Sequence, residues 1–87
     1  MSIKYYKDFQ KHFKERILPN KNLYQRFNEK IELFIEFPND PILKNHKLIG
    51  KKSQFRAFSI TGDIRVVYYK GEDFIYLIDV GSHNQVY

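Results

Sequence analysis

Gln54-Phe55-Arg56-Ala57-Phe58-Ser59-Ile60-Thr61-Gly62-Asp63-Ile64-Arg65-Val66-Val67-Tyr68-Tyr69-Lys70-Gly71-Glu72-Asp73-Phe74-Ile75-Tyr76-Leu77-Ile78-Asp79-Val80 decides the fold. Three runs rich in Phe, Tyr, Val and Ile (54–60, 64–70 and 73–80) are broken by Thr61-Gly62-Asp63 and Gly71-Glu72. Strands joined by loops this short must be antiparallel neighbours. In the middle run, Ile64, Val66 and Tyr68 share one face and Arg65, Val67 and Tyr69 the other.

Upstream the period changes. Phe9, Phe13 and Ile17 recur at helical spacing and predict a first helix over 7–17. Pro19 ends it and biases Leu18 away from helical angles. A second helix is expected over 20–37, capped by Asn20, with Leu23, Phe27, Ile31, Phe34 and Ile35 as its apolar stripe. Lys21, Arg26, Glu29 and Glu36 face outward, and Pro38-Asn39-Asp40-Pro41 stops the helix. Residues 3–6 are short and β-prone and read as a first, edge strand. The expected fold class is therefore α+β: an N-terminal strand, a two-helix hairpin, then an antiparallel β-meander packed against the helices. The helices cover one face of the sheet, and the other face is expected to be open to solvent.

Eighty-seven residues fit one domain, 1–87, whose core must come from eight Phe and seven Tyr, since there is no cysteine to form a disulfide or ligate zinc. No apolar run is long enough for a signal peptide or a membrane span, so a soluble, cytoplasmic protein is expected, with no membrane partner. The net charge is +5 and the pI about 9.5. Residues 1–52 carry +6 and residues 53–87 carry −1. Within 44–56, Lys44, Lys47, Lys51, Lys52 and Arg56 stand with His46 and no acid. Such a run is most often a solvated face, but it also suits a phosphate backbone.

No Gly-rich phosphate loop, paired-His metal spacing or Gly-x-Ser-x-Gly elbow is present, and no cofactor is called for. The remaining polar candidates, His46, Arg56, Ser59, Asp63, Arg65, His83 and Tyr87, lie on different elements. Each has a plain structural alternative. Arg65 could pair with Asp79 or Asp63, Asp63 could be a turn residue, His46 and His83 could be surface histidines, and the terminal Tyr87 could fray. His12 is placed on the outer side of the first helix, without a role.

Asp40-Pro-Ile-Leu-Lys-Asn-His-Lys-Leu-Ile-Gly-Lys51, Phe55-Arg-Ala-Phe-Ser-Ile60, Gly62-Asp-Ile-Arg-Val-Val-Tyr-Tyr69 and Val80-Gly-Ser-His-Asn-Gln-Val-Tyr87 carry a family resemblance. The chain resembles the RelE/YafQ family of bacterial toxins, ribosome-dependent messenger-RNA interferases of type II toxin–antitoxin systems. The resemblance spans nearly the whole chain and is sharpest in His46-x-Leu48-x-Gly50-Lys51 and the Gly81-Ser82-His83 ending.

It implies metal-independent cleavage of messenger RNA in the ribosomal A site. The ribose 2′-hydroxyl attacks the adjacent phosphate and the 5′-oxygen leaves. His46, Asp63 and His83 match acid–base positions of the YafQ branch. Arg65 matches a phosphate-facing arginine of the RelE branch. Tyr87 matches a terminal aromatic that positions a nucleotide. Lys47, Lys51, Lys52 and Arg56 become contacts to messenger or 16S ribosomal RNA. Ser59 departs from the YafQ pattern, which has histidine there, and serine cannot replace imidazole near neutral pH. His83 is thus expected to carry most of the proton transfer. The resemblance also implies a cognate antitoxin, with a toxin–antitoxin heterotetramer as one assembly. Two rivals remain on the residues alone: a ParE-like gyrase-inhibiting toxin, and a basic domain that binds RNA without cutting it.

Overall fold

The computed structural model describes residues 2–87. In chain order the elements are β1 (Ser2–Tyr5), α1 (Lys7–His12) continuing as a π-helical segment (Phe13–Ile17), α2 (Lys21–Glu36), β2 (His46–Lys47), β3 (Arg56–Ser59), β4 (Ile64–Lys70), β5 (Phe74–Ser82) and α3 (His83–Val86). Short 3-10 turns at Pro41–Leu43 and Gly50–Lys52 flank β2. The sheet order is β1-β5-β4-β3-β2. Among the described residues, only β1 runs parallel to its neighbour, β5; the other pairings are antiparallel. The expected α+β order thus holds within a five-stranded mixed sheet, with β1 at an edge.

The helix spacing leads to the core. Asn20 caps α2 by accepting from the Asn22 and Leu23 amides at 3.1 and 3.2 Å. Phe9, Ile17, Phe27 and Phe34 then meet Phe58, Ile60, Val66, Leu77 and Val80 between helices and sheet. Phe34 stacks on Phe58 with ring centroids 4.3 Å apart. Ile35, placed in the apolar stripe by its spacing, is instead 58% exposed at the far margin of that face.

Leu18 is not driven from helical angles by Pro19: its φ and ψ are −57° and −39°. Pro19 has no N–H to extend the ladder, so its wide π-type bonding ends with the Leu18 amide on the Phe13 carbonyl at 3.0 Å, and a tighter turn from the Asn20 amide to the Ile17 carbonyl at 3.1 Å closes the segment.

The second face of the sheet is not open. Val86 of α3 and Leu48 pack on Ala57 and Val67, with Phe55 and Ile78 beside them. The chain end is a capped helical turn rather than a frayed tail. β5 also runs two residues past the expected Val80, to Ser82, and His83 opens α3.

Candidate RNA-facing site

The site is built where β5 hands over to α3. Ser82-His83-Asn84-Gln85 has the form of a capping box, and the Gln85 Oε1 accepts the Ser82 amide at 2.7 Å. The Tyr87 amide closes the turn on the His83 carbonyl at 3.0 Å. Lys52 Nζ caps the other end, donating to the Val86 and Tyr87 carbonyls at 3.0 and 3.4 Å.

These bonds place the Tyr87 ring between two imidazoles. It meets His83 edge-on with centroids 4.5 Å apart, and His46 at 6.5 Å. His46, Lys47, Lys52, His83 and Tyr87, with Leu48 and Ile49, line a shallow basin of about 410 Å³. His46 Nδ1 lies 2.9 Å from the Lys44 carbonyl. A carbonyl only accepts, so Nδ1 carries the proton and neutral His46 keeps a free lone pair on Nε2.

Arg65 lies on β4 near Tyr87, and Asp63 sits in the turn before that strand; neither lines the basin. Arg65 pairs across the ladder with Ser59 on one side and Gly81 on the other. Its Nη1 donates to Ser59 Oγ at 2.5 Å and its Nη2 to the Gly62 carbonyl at 3.3 Å. Among the described residues the buried Nε has no partner. The expected pairing of Arg65 with Asp79 or Asp63 does not form, because the guanidinium leans toward β3 and Asp79 is engaged elsewhere. Burial pushes the Tyr87 phenol above its ordinary value, while the nearby Arg65 cation pulls it down. Ile64 pairs with Ser82, the last pair of that ladder. Asp63 is an exposed turn residue whose amide donates to Thr61 Oγ1 at 3.2 Å.

His12 is not an idle surface residue. Its Nδ1 lies 2.6 Å from Asp79 Oδ1, and Arg16 Nη1 reaches the same oxygen at 3.7 Å and the Val80 carbonyl at 3.0 Å. Both come from the first helix onto the stretch of β5 beyond Leu77, where β1 no longer covers the edge. A side chain on Gly81 would put its Cβ 2.7 Å from both Arg16 Nη1 and Gln85 Oε1. The spacing of the first helix gives no sign of this clasp. The capping box at Ser82 was the one visible signal for α3.

Arg56 stands apart from the others. Arg56, Phe58 and Ile60 alternate onto the helix side of β3, while Ala57 and Ser59 face the site. Arg56 Nε donates to Asn45 Oδ1 at 3.1 Å and Tyr68 Oη at 3.2 Å, at the mouth of a separate groove of about 360 Å³ under the end of α2. Lys51 projects from the 3-10 turn beside Lys52.

Among the described residues no group of three His, Asp or Glu side chains is arranged to hold a metal ion, and no helix is long and apolar enough to cross a membrane.

Among curated proteins none matches the chain. Among solved structures, a copper-bound mutant toxin of Helicobacter pylori is 32% identical with a TM-score of 0.84, the match covering 100% of this chain and 99% of that one. YafQ of Escherichia coli is 18% identical with a TM-score of 0.84, covering 99% and 97% of the two chains. YafQ in the Escherichia coli DinJ–YafQ complex is 19% identical with a TM-score of 0.82, at the same coverage. The family model for YafQ matches residues 1–87. The chain belongs to the YafQ family, bacterial toxins of type II toxin–antitoxin systems.

Proposed function

We propose that the chain, acting as one domain over residues 1–87, is a ribosome-dependent endoribonuclease that cuts messenger RNA in the ribosomal A site. The observation that carries this reading is the Tyr87 ring set between His46 and His83 in a basin edged by Lys47 and Lys52. RNA bases stack on such rings, and phosphates pair with such lysines.

Cleavage forms a bond from the 2′-oxygen to phosphorus and breaks the bond from phosphorus to the 5′-oxygen. A 2′,3′-cyclic phosphate and a 5′-hydroxyl result. The reaction needs one group to remove the 2′-hydroxyl proton and one to protonate the leaving oxygen. His83 carries the larger part, with the free Nε2 of His46 and the carboxylate of Asp63 supporting it. Arg65 supplies positive charge to the crowded phosphate. Lys47 and Lys51 contact the RNA backbone, and Lys52 contributes charge while capping α3.

In the solved complex, the YafQ of Escherichia coli is bound to DinJ, which supports a cognate antitoxin for this chain too. The net charge of +5 and the outer edge of β1 would receive an acidic or strand-forming segment. Gyrase inhibition in the manner of ParE has no support from the match to the YafQ model.

Primer extension on a translated message tests the reading. Codon-phased cuts are expected only with ribosomes present, and His83→Ala should slow them by about 100-fold or more. Footprints without cuts, or wild-type cutting by His83→Ala, would overturn it.

A further inference from the structure

We propose that Ser59 is the positioning residue for Arg65: its hydroxyl fixes the guanidinium against the reacting phosphate without neutralising it. The inference rests on the ribonuclease reading above and goes beyond it by giving Ser59 a task.

Ser59 is 6% exposed and is the one buried polar residue among the described residues. So enclosed a residue is poorly placed to meet RNA itself. Arg65 has two cross-strand neighbours, Ser59 and Gly81. Gly81 has no side chain to offer, so Ser59 alone can hold the guanidinium from an adjoining strand. It does so at 2.5 Å, and the Gly62 carbonyl takes the second terminal nitrogen at 3.3 Å. Two tethers on different nitrogens fix the plane of the group.

Both tethers are uncharged. A carboxylate at position 59 would hold Arg65 as firmly but would spend its charge on an internal ion pair. Asp79, the acid nearest along β5, is instead occupied by His12 and Arg16. Arg65 therefore keeps its full charge in a fixed orientation, the arrangement that stabilises charge developing in a transition state. Of the guanidinium's five N–H donors, Ser59 and Gly62 engage one each. The remaining N–H groups on Nη1 and Nη2 are left for a substrate anion.

Five variants and two measurements test this. In single-turnover cleavage of ribosome-bound message, Ser59→Ala should lower the rate constant about tenfold and leave the half-saturating concentration nearly unchanged. Ser59→Thr, which keeps the hydroxyl, should restore most of the rate. Ser59→Asp should fall at least as far as Ser59→Ala, although the tether is kept. In an Arg65→Ala background, Ser59→Ala should cost nothing more. Equal losses in both backgrounds, or a wild-type rate for Ser59→Ala or Ser59→Asp, would overturn the proposal.

The second measurement does not depend on activity. The Arg65 guanidinium resonances in NMR should show slowed rotation in the wild-type protein and free rotation in Ser59→Ala. If they are identical in the two proteins, Ser59 does not position Arg65. If wild-type protein cuts no message but the resonances differ as expected, the ribonuclease reading fails and the tether stands.

Discussion

Replacing Lys52 by alanine is expected to loosen the end of the chain. α3 is four residues long, so its carbonyls have no following turn to bond. Lys52 Nζ takes that place at 3.0 and 3.4 Å from the last two. A hydrogen bond to a charged group contributes about 1.5–3 kcal/mol when shielded. Lys52 is exposed, which reduces the expected contribution to about 1 kcal/mol. A loss of that size raises the open population of α3 about fivefold. Opening lifts Val86 off Ala57 and Val67 and carries the Tyr87 ring away from His83.

The assay is hydrogen exchange at the Tyr87 amide, which bonds the His83 carbonyl and should exchange about fivefold faster in Lys52→Ala. Lys52→Arg should retain most of the protection. Lys51→Ala is the control, because Lys51 projects from the same 3-10 turn. It should leave the exchange rate unchanged and lower the slope of log affinity for single-stranded RNA against log salt by about 0.7. If Lys52→Ala left Tyr87 exchange untouched while showing the full slope change of Lys51→Ala, Lys52 would be a phosphate contact and the capping argument would be refuted.

Gly81→Ala should displace either Arg16 or Gln85, both flexible ends but both hydrogen-bonded. The expected cost is about 1 kcal/mol, read as a fall in melting temperature of about 4–8 °C together with slower cleavage; an unchanged melting curve counts against the close approach. Arg56→Ala should leave cleavage within about twofold of wild type, because the side chain bonds Asn45 and Tyr68 on the helix side; a loss as large as that of Lys47→Ala would return it to the RNA surface. The Tyr87 phenol, raised above its unfolded value of 10.0 first by burial, binds its proton more tightly in the folded chain. Its contribution to stability is therefore fully present below that value and lost as pH rises through the folded one. A difference absorbance titration against Tyr87→Phe should show late ionisation, and Arg65→Ala should delay it further; earlier ionisation in Arg65→Ala would contradict the electrostatic contact.

Much of the layering was legible because burial imposes a period. Phe9, Phe27 and Phe34 on the helices and Phe58, Val66 and Leu77 on the strands had to meet in one core. The short elements were not legible for the opposite reason. β2 has two residues and α3 four, too few to show any period, and both owe their place to contacts distant in sequence, such as Val86 on Val67. The pairing of β1 with β5 joins the two ends of the chain, which local pattern cannot reveal.

The position of Arg56 is more instructive. Grouping it with Lys47, Lys51 and Lys52 relied on charge along the chain, whereas strand parity already sets Arg56 on the face of Phe58 and Ile60. Charge density counts cations without regard to direction, and direction decides which of them one ligand can meet. The same argument applies to the net charge of +5. Arg16 and His12 converge on Asp79, Lys52 caps α3, Arg56 closes a groove on the other side and Lys30 donates to the Ile60 carbonyl. The positive charge at the basin is a smaller set, Lys47 and Lys52 in its lining with Arg65 near Tyr87. A tethered guanidinium in such a place can matter more to the reaction than several mobile lysines, because its orientation is fixed before the substrate arrives.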